Sequence, residues 1–202
     1  MTNRLSSVFL ALVLLIMLSA CATGGNSSKA LEEGMIPLDQ FHSEDGTFQY
    51  ARLPIGITRE EAAKRLGVEE LGEQVGQLGD TSHYALADRV TYGGQEVAVL
   101  LEFQGDGLTL VQFNFLSHEK ETLAPIHEEL SELLYESYGI YSGSHIEQPS
   151  YFTDVSNWDT HLGGDVTRLS LHFSYGEPQA DGSIVANLSL SVGKMVFANE
   201  TN

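Results

Sequence analysis

The chain has 202 residues, with 28 Asp and Glu against 10 Lys and Arg, a formal net charge of −18 and one cysteine. So acidic a composition argues against nucleic acid, because phosphate binding needs Lys and Arg to release counterions, and against polybasic attachment to anionic lipid. A single cysteine excludes an intramolecular disulfide, so the fold rests on its apolar core.

Asn3 and Arg4 give a short polar start with one positive charge, followed by an unbroken apolar run from Val8 to Leu18. A bilayer-spanning helix needs about 20 apolar residues, so this run has the length of a signal-peptide core instead. It ends in Leu18-Ser19-Ala20-Cys21, which resembles the lipobox of bacterial lipoproteins in every position. The resemblance implies a signal peptide over residues 1–20 and cleavage between Ala20 and Cys21. It further implies diacylglycerol on the Cys21 thiol and an additional acyl chain, such as palmitate, on the new amino group. Two or more acyl chains hold a protein firmly where one holds it reversibly, at about 0.8 kcal/mol per buried methylene. Ala22 replaces the aspartate that, by the same resemblance, favours inner-membrane retention, so the expected address is the outer membrane, facing the periplasm.

Residues 21–33 are small and polar and suit a flexible tether. Loss of Arg4 with the signal leaves nine Lys and Arg against 28 acids, a formal charge of −19. The stretch 34–198, about 165 residues, has the length of a single domain with a sizeable core.

Within it, Thr58 stands three residues before Glu61, and Ala62, Ala63 and Leu66 then give a short apolar face that stops at Gly67. This is a capping-box start with a glycine stop, predicting a first helix. Period-two alternation follows around 83–92, 96–103 and 108–115, with Gly93-Gly94 and Asp106-Gly107 as hairpin turns. From Thr122 to Tyr138, Leu123, Ile126, Leu130, Leu133, Leu134 and Tyr138 recur at three and four residues, predicting a long helix before Gly139. Pro125 suits a first turn and places the start near Thr122. A second set of strands is expected at 152–158, 166–175 and 184–192, with turns at Gly163-Gly164-Asp165 and Asp181-Gly182. Leu169, Leu171, Phe173 and Tyr175 share one face of the middle strand, opposite Arg168, Ser170, His172 and Ser174, so one sheet face is apolar and the other wet.

The predicted fold is therefore α+β: one antiparallel sheet of about six strands, built in two helix-plus-three-strand halves (about 50–118 and 119–198), with both helices on the apolar face. The stretch from Ile55-Gly56-Ile57-Thr58 to Leu66-Gly67, behind a lipobox and before a meander, resembles the small lipoprotein subunit of the outer-membrane β-barrel assembly machinery. It also resembles the helix-plus-meander repeats of β-lactamase inhibitor proteins. Both likenesses imply a protein-binding scaffold without catalysis. Glu69 departs from the proline that often follows the helix-ending glycine. The Tyr138-Gly139 helix end with Trp158 on the next predicted strand is similar to a group of exported lipoproteins.

Motifs for chemistry are sparse. The seven histidines include no pair at i, i+4 on a helix, the spacing of a helical zinc site. Asp154, Asp159, His161 and Asp165 surround a glycine turn and form the one cation candidate, although Asp and Gly are common turn residues in any case. His127 lies beside the apolar seam of the long helix, where a satisfied, partly buried ring is expected. There is no Gly-x-Ser-x-Gly nucleophile motif, and the LGEQVGQLG stretch at 71–79 lacks the lysine of a phosphate loop.

Tyr135, Tyr141, Tyr151 and Phe152 are candidate partner-facing aromatics, a residue class enriched at interfaces, and Trp158 is assigned to the core. The reading is a membrane-anchored envelope lipoprotein with a non-catalytic protein-binding or scaffold module, without cofactor or bound metal. The alternative is a small envelope enzyme or a cation- or ligand-binding protein.

Overall fold

The computed structural model describes residues 41–50, 53–87, 89–162 and 165–195. The signal peptide, Cys21, the tether and Gly163-Gly164 lie outside them. The protein is α+β, with two helices and nine strands in one antiparallel sheet among the described residues. The helices are α1 (Arg59–Leu66) and α2 (Lys120–Tyr138). The strands are β1 (Glu73–Leu78), β2 (Thr81–Ala85), β3 (Val90–Tyr92), β4 (Gln95–Gln104), β5 (Gly107–Phe115), β6 (Ser142–Gln148), β7 (Tyr151–Leu162), β8 (Asp165–Gly176) and β9 (Ala186–Lys194). They follow the order β1-β2-β4-β5-β9-β8-β7-β6, with β3 paired to β4.

α1 starts and stops where its sequence predicts, although the Glu61 carboxylate accepts from Arg65 Nε at 2.9 Å and does not close the capping box. The Thr58 hydroxyl accepts from the Glu61 N–H at 3.2 Å, satisfying one of the amides that a helix start leaves without a partner. Gly67 takes φ 74°, and the Gly67 and Val68 amides return to the Lys64 and Ala63 carbonyls, the bonding pattern of a Schellman stop. α2 begins two residues earlier than expected, at Lys120, because the Glu119 carbonyl already accepts from the Thr122 and Leu123 amides. Pro125 thus sits inside the helix near its start, where only one backbone bond is forgone.

Nine strands replace the expected six for identifiable reasons. β1 and β6 are the two ends of the sheet, and their side chains are almost all exposed, so neither carries a buried alternation to read. The expected 83–92 strand is two pieces, β2 and β3, both paired with β4. Between β4 and β5 the turn falls at Gly105-Asp106, one residue early: Gly105 has φ 61°, whereas Gly107 is already paired with Gln104.

Cross-strand register separates the two faces. On one, Val99, Phe113, Leu190 and Leu171 are successive partners across four strands, as are Leu101, Val111, Val192, Leu169 and Trp158 across five. On the other, Gln112, Ser191, Ser170, Asn157 and Ser142 lie in one row. Ala62 and Ala63 of α1 and Leu123, Ile126, Leu130 and Leu134 of α2 join the apolar face in a single core.

A third element covers that face and has no regular period. Phe41, Phe48, Tyr50 and Leu53 are buried, with the Phe41 and Tyr50 rings 5.9 and 5.4 Å from the Phe113 ring. The Phe48 amide donates to Thr167 Oγ1 at 2.8 Å, and the Phe41 amide to the Tyr138 hydroxyl at 3.2 Å. These bonds fasten the segment to β8 and to the end of α2.

Candidate functional site

Toward β6 the apolar face turns polar. Leu188, Phe173, Asp154 and His145 are successive cross-strand partners on β9, β8, β7 and β6, so one row runs from a buried leucine to an exposed histidine. α2 lies over this row. His127 stacks on Phe173 with ring centroids 4.9 Å apart, and its Nε2 is 3.4 Å from Asp154 Oδ2. His145 approaches the other carboxylate oxygen, Nδ1 to Oδ1 at 3.6 Å, and sits edge-on to Phe152 at 5.1 Å. One carboxylate thus stands between two imidazoles, one buried and one 59% exposed at the side chain.

Burial holds the His127 imidazole below its ordinary pKa, because the charged ring is poorly hydrated there; the Asp154 and Glu128 charges oppose this, and His172 adds slightly to it. Ser131 Oγ also lies 3.4 Å from His127 Nε2. Serine and aspartate therefore meet the same ring nitrogen. A nucleophile relay needs them on opposite nitrogens, so this Ser-His-Asp grouping does not have the geometry of a hydrolytic triad.

The cation candidate is dispersed. Asp154 and Asp159 are five residues apart on one strand and so face opposite sides of the sheet. Asp159 is held by Arg168, Nε to Oδ1 at 2.6 Å and Nη2 to Oδ2 at 2.8 Å, and this guanidinium keeps its carboxyl below the usual range. Asp165 pairs with Lys194 at 2.7 Å. Among the described residues, no group of three or more His, Cys, Asp and Glu side chains is placed to hold a metal ion. The structure thus gives two of these acids a basic partner and Asp154 two histidines, which sequence proximity alone does not reveal.

The four candidate aromatics do not form one patch. Phe152 lies on the helix side, stacked nearly parallel to Tyr175 at 4.6 Å and 5.9 Å from Phe173. Tyr151, its neighbour, faces the polar side. Tyr141 precedes the other end of β6 and leans on Trp158 at 5.2 Å, while Tyr135 is exposed in the last turn of α2. Trp158 is in the core as expected, 3% exposed, with Nε1–H donating to the Gly139 carbonyl at 3.0 Å.

The opposite sheet face is covered by neither helix and carries hydrogen-bonding side chains interspersed with Ala98, Leu100 and Val155. Ser170 donates to Asn157 at 2.6 Å, Gln112 to Asn114 at 3.0 Å, and Thr153 lies 3.1 Å from His172. Among the described residues no helix is long and apolar enough to cross a membrane. Comparison with protein-family models, curated proteins and solved structures finds no match.

Proposed function

We propose that the protein is a membrane-anchored envelope lipoprotein whose α+β domain binds another envelope protein without catalysis. The anchor rests on Leu18-Ser19-Ala20-Cys21 behind the Val8–Leu18 run, with lipid on Cys21 and the outer membrane as its address. The observation that carries the binding reading is the uneven coverage of the sheet. One face is packed under α1, α2 and the 41–53 segment, while the other presents Gln112, Asn114, Asn157, Ser170 and His172. Amide and hydroxyl side chains such as Gln112, Asn114, Asn157 and Ser170 make directional hydrogen bonds to a partner at a low desolvation cost compared with charges.

We also read the domain as two structurally similar halves. What supports this is the chain order: each helix precedes an antiparallel meander, β1-β2-β4-β5 after α1 and β6-β7-β8-β9 after α2, and the last strands of the two, β5 and β9, meet at the centre of the sheet.

The alternative, a small enzyme or a cation- or ligand-binding protein, draws on the His127–Asp154–His145 group alone. Photo-crosslinking in intact cells from Gln112 and from Ser189, the β9 residue between Asn114 and His172 on this face, tests the choice. A single stoichiometric protein adduct is expected; no adduct from either position, together with a small molecule or metal co-purifying with the protein, would favour the alternative.

A further inference from the structure

We infer that the free edge of β6 docks an extended, basic segment of a partner protein, which joins the sheet as a tenth strand. This deepens the protein-binding reading above and rests on it.

Among the described residues β6 is the last strand of the sheet and pairs only with β7. All seven of its residues, Ser142 to Gln148, are exposed. An edge strand offers a row of unpaired N–H and C=O groups, which proteins commonly blunt with a bulge, proline, lysine or a very short strand. β6 has none of these: its register with β7 runs through seven pairs without a shift, and it contains no Pro, Lys or Arg. β1, at the other edge, is interrupted by a register shift between Gln74 and Gly76. Among the described residues the sheet is thus irregular at its β1 end and regular at its β6 end.

Charge selects the occupant. From Glu121 to Thr167, which spans nearly all of α2 and the whole of β6 and β7, there are nine Asp and Glu and no Lys or Arg; Asp159 and Asp165, toward the far end of β7, are paired with Arg168 and Lys194, which leaves seven acids around α2 and β6. Glu147 lies on β6 itself, Asp154 on its neighbour, and Glu128, Glu129, Glu132 and Glu136 are exposed on α2. A second copy of β6 would bring two such acidic blocks together and be repelled, whereas an extended segment carrying Lys or Arg is attracted. Alternation of side chains gives the pattern. His145 and Glu147 project on the helix side with Asp154, and Ser144 and Ile146 on the polar side, where Tyr151 lies diagonally across from Ile146. The segment that fits alternates basic residues facing Glu147 with apolar residues facing Ile146 and Tyr151, the β-augmentation mode of peptide recognition.

Two ten-residue peptides, one alternating Lys and Val and one alternating Glu and Val, serve as probes against the full chain in detergent, read by fluorescence anisotropy and amide hydrogen exchange. The Lys–Val peptide is expected to bind about ten-fold more tightly and to slow exchange within residues 142–148 by roughly ten-fold. Ser144→Lys combined with Ile146→Lys places two cations on the edge and should abolish both effects, with the far-UV spectrum unchanged. Equal binding of the two peptides, no binding, or binding without slowing in 142–148 overturns the inference. If photo-crosslinking from Gln112 still captures a stoichiometric partner, the protein-binding reading survives that failure; if it captures none, both fall.

Discussion

His127 and Asp154, 27 residues apart in the chain, meet at 3.4 Å between Nε2 and Oδ2 where the long helix crosses the β7–β8 pair. The contact sets a buried imidazole beside a carboxylate, and the two effects on the ring are opposed: burial disfavours the imidazolium and the aspartate favours it, with burial the larger.

His127 should therefore make the fold acid-sensitive. The unfolded chain takes up the proton near the ordinary imidazole pKa of about 6.5, and the folded chain only at lower pH. Between those values the unfolded state holds more protons, so stability rises with pH. The contribution is complete above the unfolded value and is lost as pH falls through the folded one. Melting temperature recorded from about pH 7.5 to about pH 5 should fall less in His127→Gln than in wild type. Asp154→Asn removes the charge that favours the imidazolium and should widen the acid-sensitive window. Parallel curves for wild type and His127→Gln would show that this ring does not titrate with folding.

Trp158 closes the core beside Tyr141, and its Nε1–H bonds the Gly139 carbonyl just past the end of α2. Trp158→Ala should cost about 3–5 kcal/mol in urea unfolding. Trp158→Phe keeps a ring but leaves that carbonyl without its donor, at a cost of about 1–2 kcal/mol. Equal midpoints for Trp158→Ala and wild type would remove Trp158 from the core.

Legibility of the fold followed burial. The two helices were readable because Thr58, Gly67, the 123–138 periodicity and Gly139 combine local capping with a buried stripe. Central strands were readable because Leu169, Leu171 and Phe173 alternate with polar residues. β1 and β6 were not, since an edge strand with no buried face has no alternation to display. Nor was the 41–53 segment, whose buried Phe41, Phe48, Tyr50 and Leu53 follow neither helical nor strand spacing. At the site, His127 is visible in sequence beside the apolar seam, but its partner is not: Asp154 stands near Asp159 in the chain, yet their odd separation on one strand puts them on opposite faces.

At its Phe48 end the 41–53 segment is fastened by a pair of threonine hydroxyls. Thr167 Oγ1 accepts from the Phe48 amide at 2.8 Å and lies 2.8 Å from Thr160 Oγ1. Thr167→Val keeps the shape and leaves the Phe48 amide only its longer bond to Thr160 Oγ1, at 3.3 Å, so stability should drop by about 1 kcal/mol. Hydrogen exchange at Phe48 should quicken more than at Leu190 in the sheet centre. Unchanged Phe48 exchange would mean that the Thr167 bond does not hold Phe48 in place.

Gly67 ends α1 at φ 74°, a backbone conformation that costs a residue with a Cβ about 1–2 kcal/mol. Gly67→Ala should lower the urea midpoint accordingly, and Thr58→Ala should lower it by about 1 kcal/mol through loss of the cap. Since the two sites lie at opposite ends of one short helix, the double variant reports whether α1 docks as a unit. Wild-type stability in both single variants would show that α1 contributes little to the cooperative fold.

The central claim, a lipid-anchored envelope domain, is tested most directly by metabolic labelling with radioactive palmitate in cells making wild type or Cys21→Ser. Label on the wild-type chain, absent from Cys21→Ser, with the mature protein beginning at residue 21 and sedimenting with outer membranes, is the predicted result. An unlabelled wild-type chain released in soluble form would contradict it.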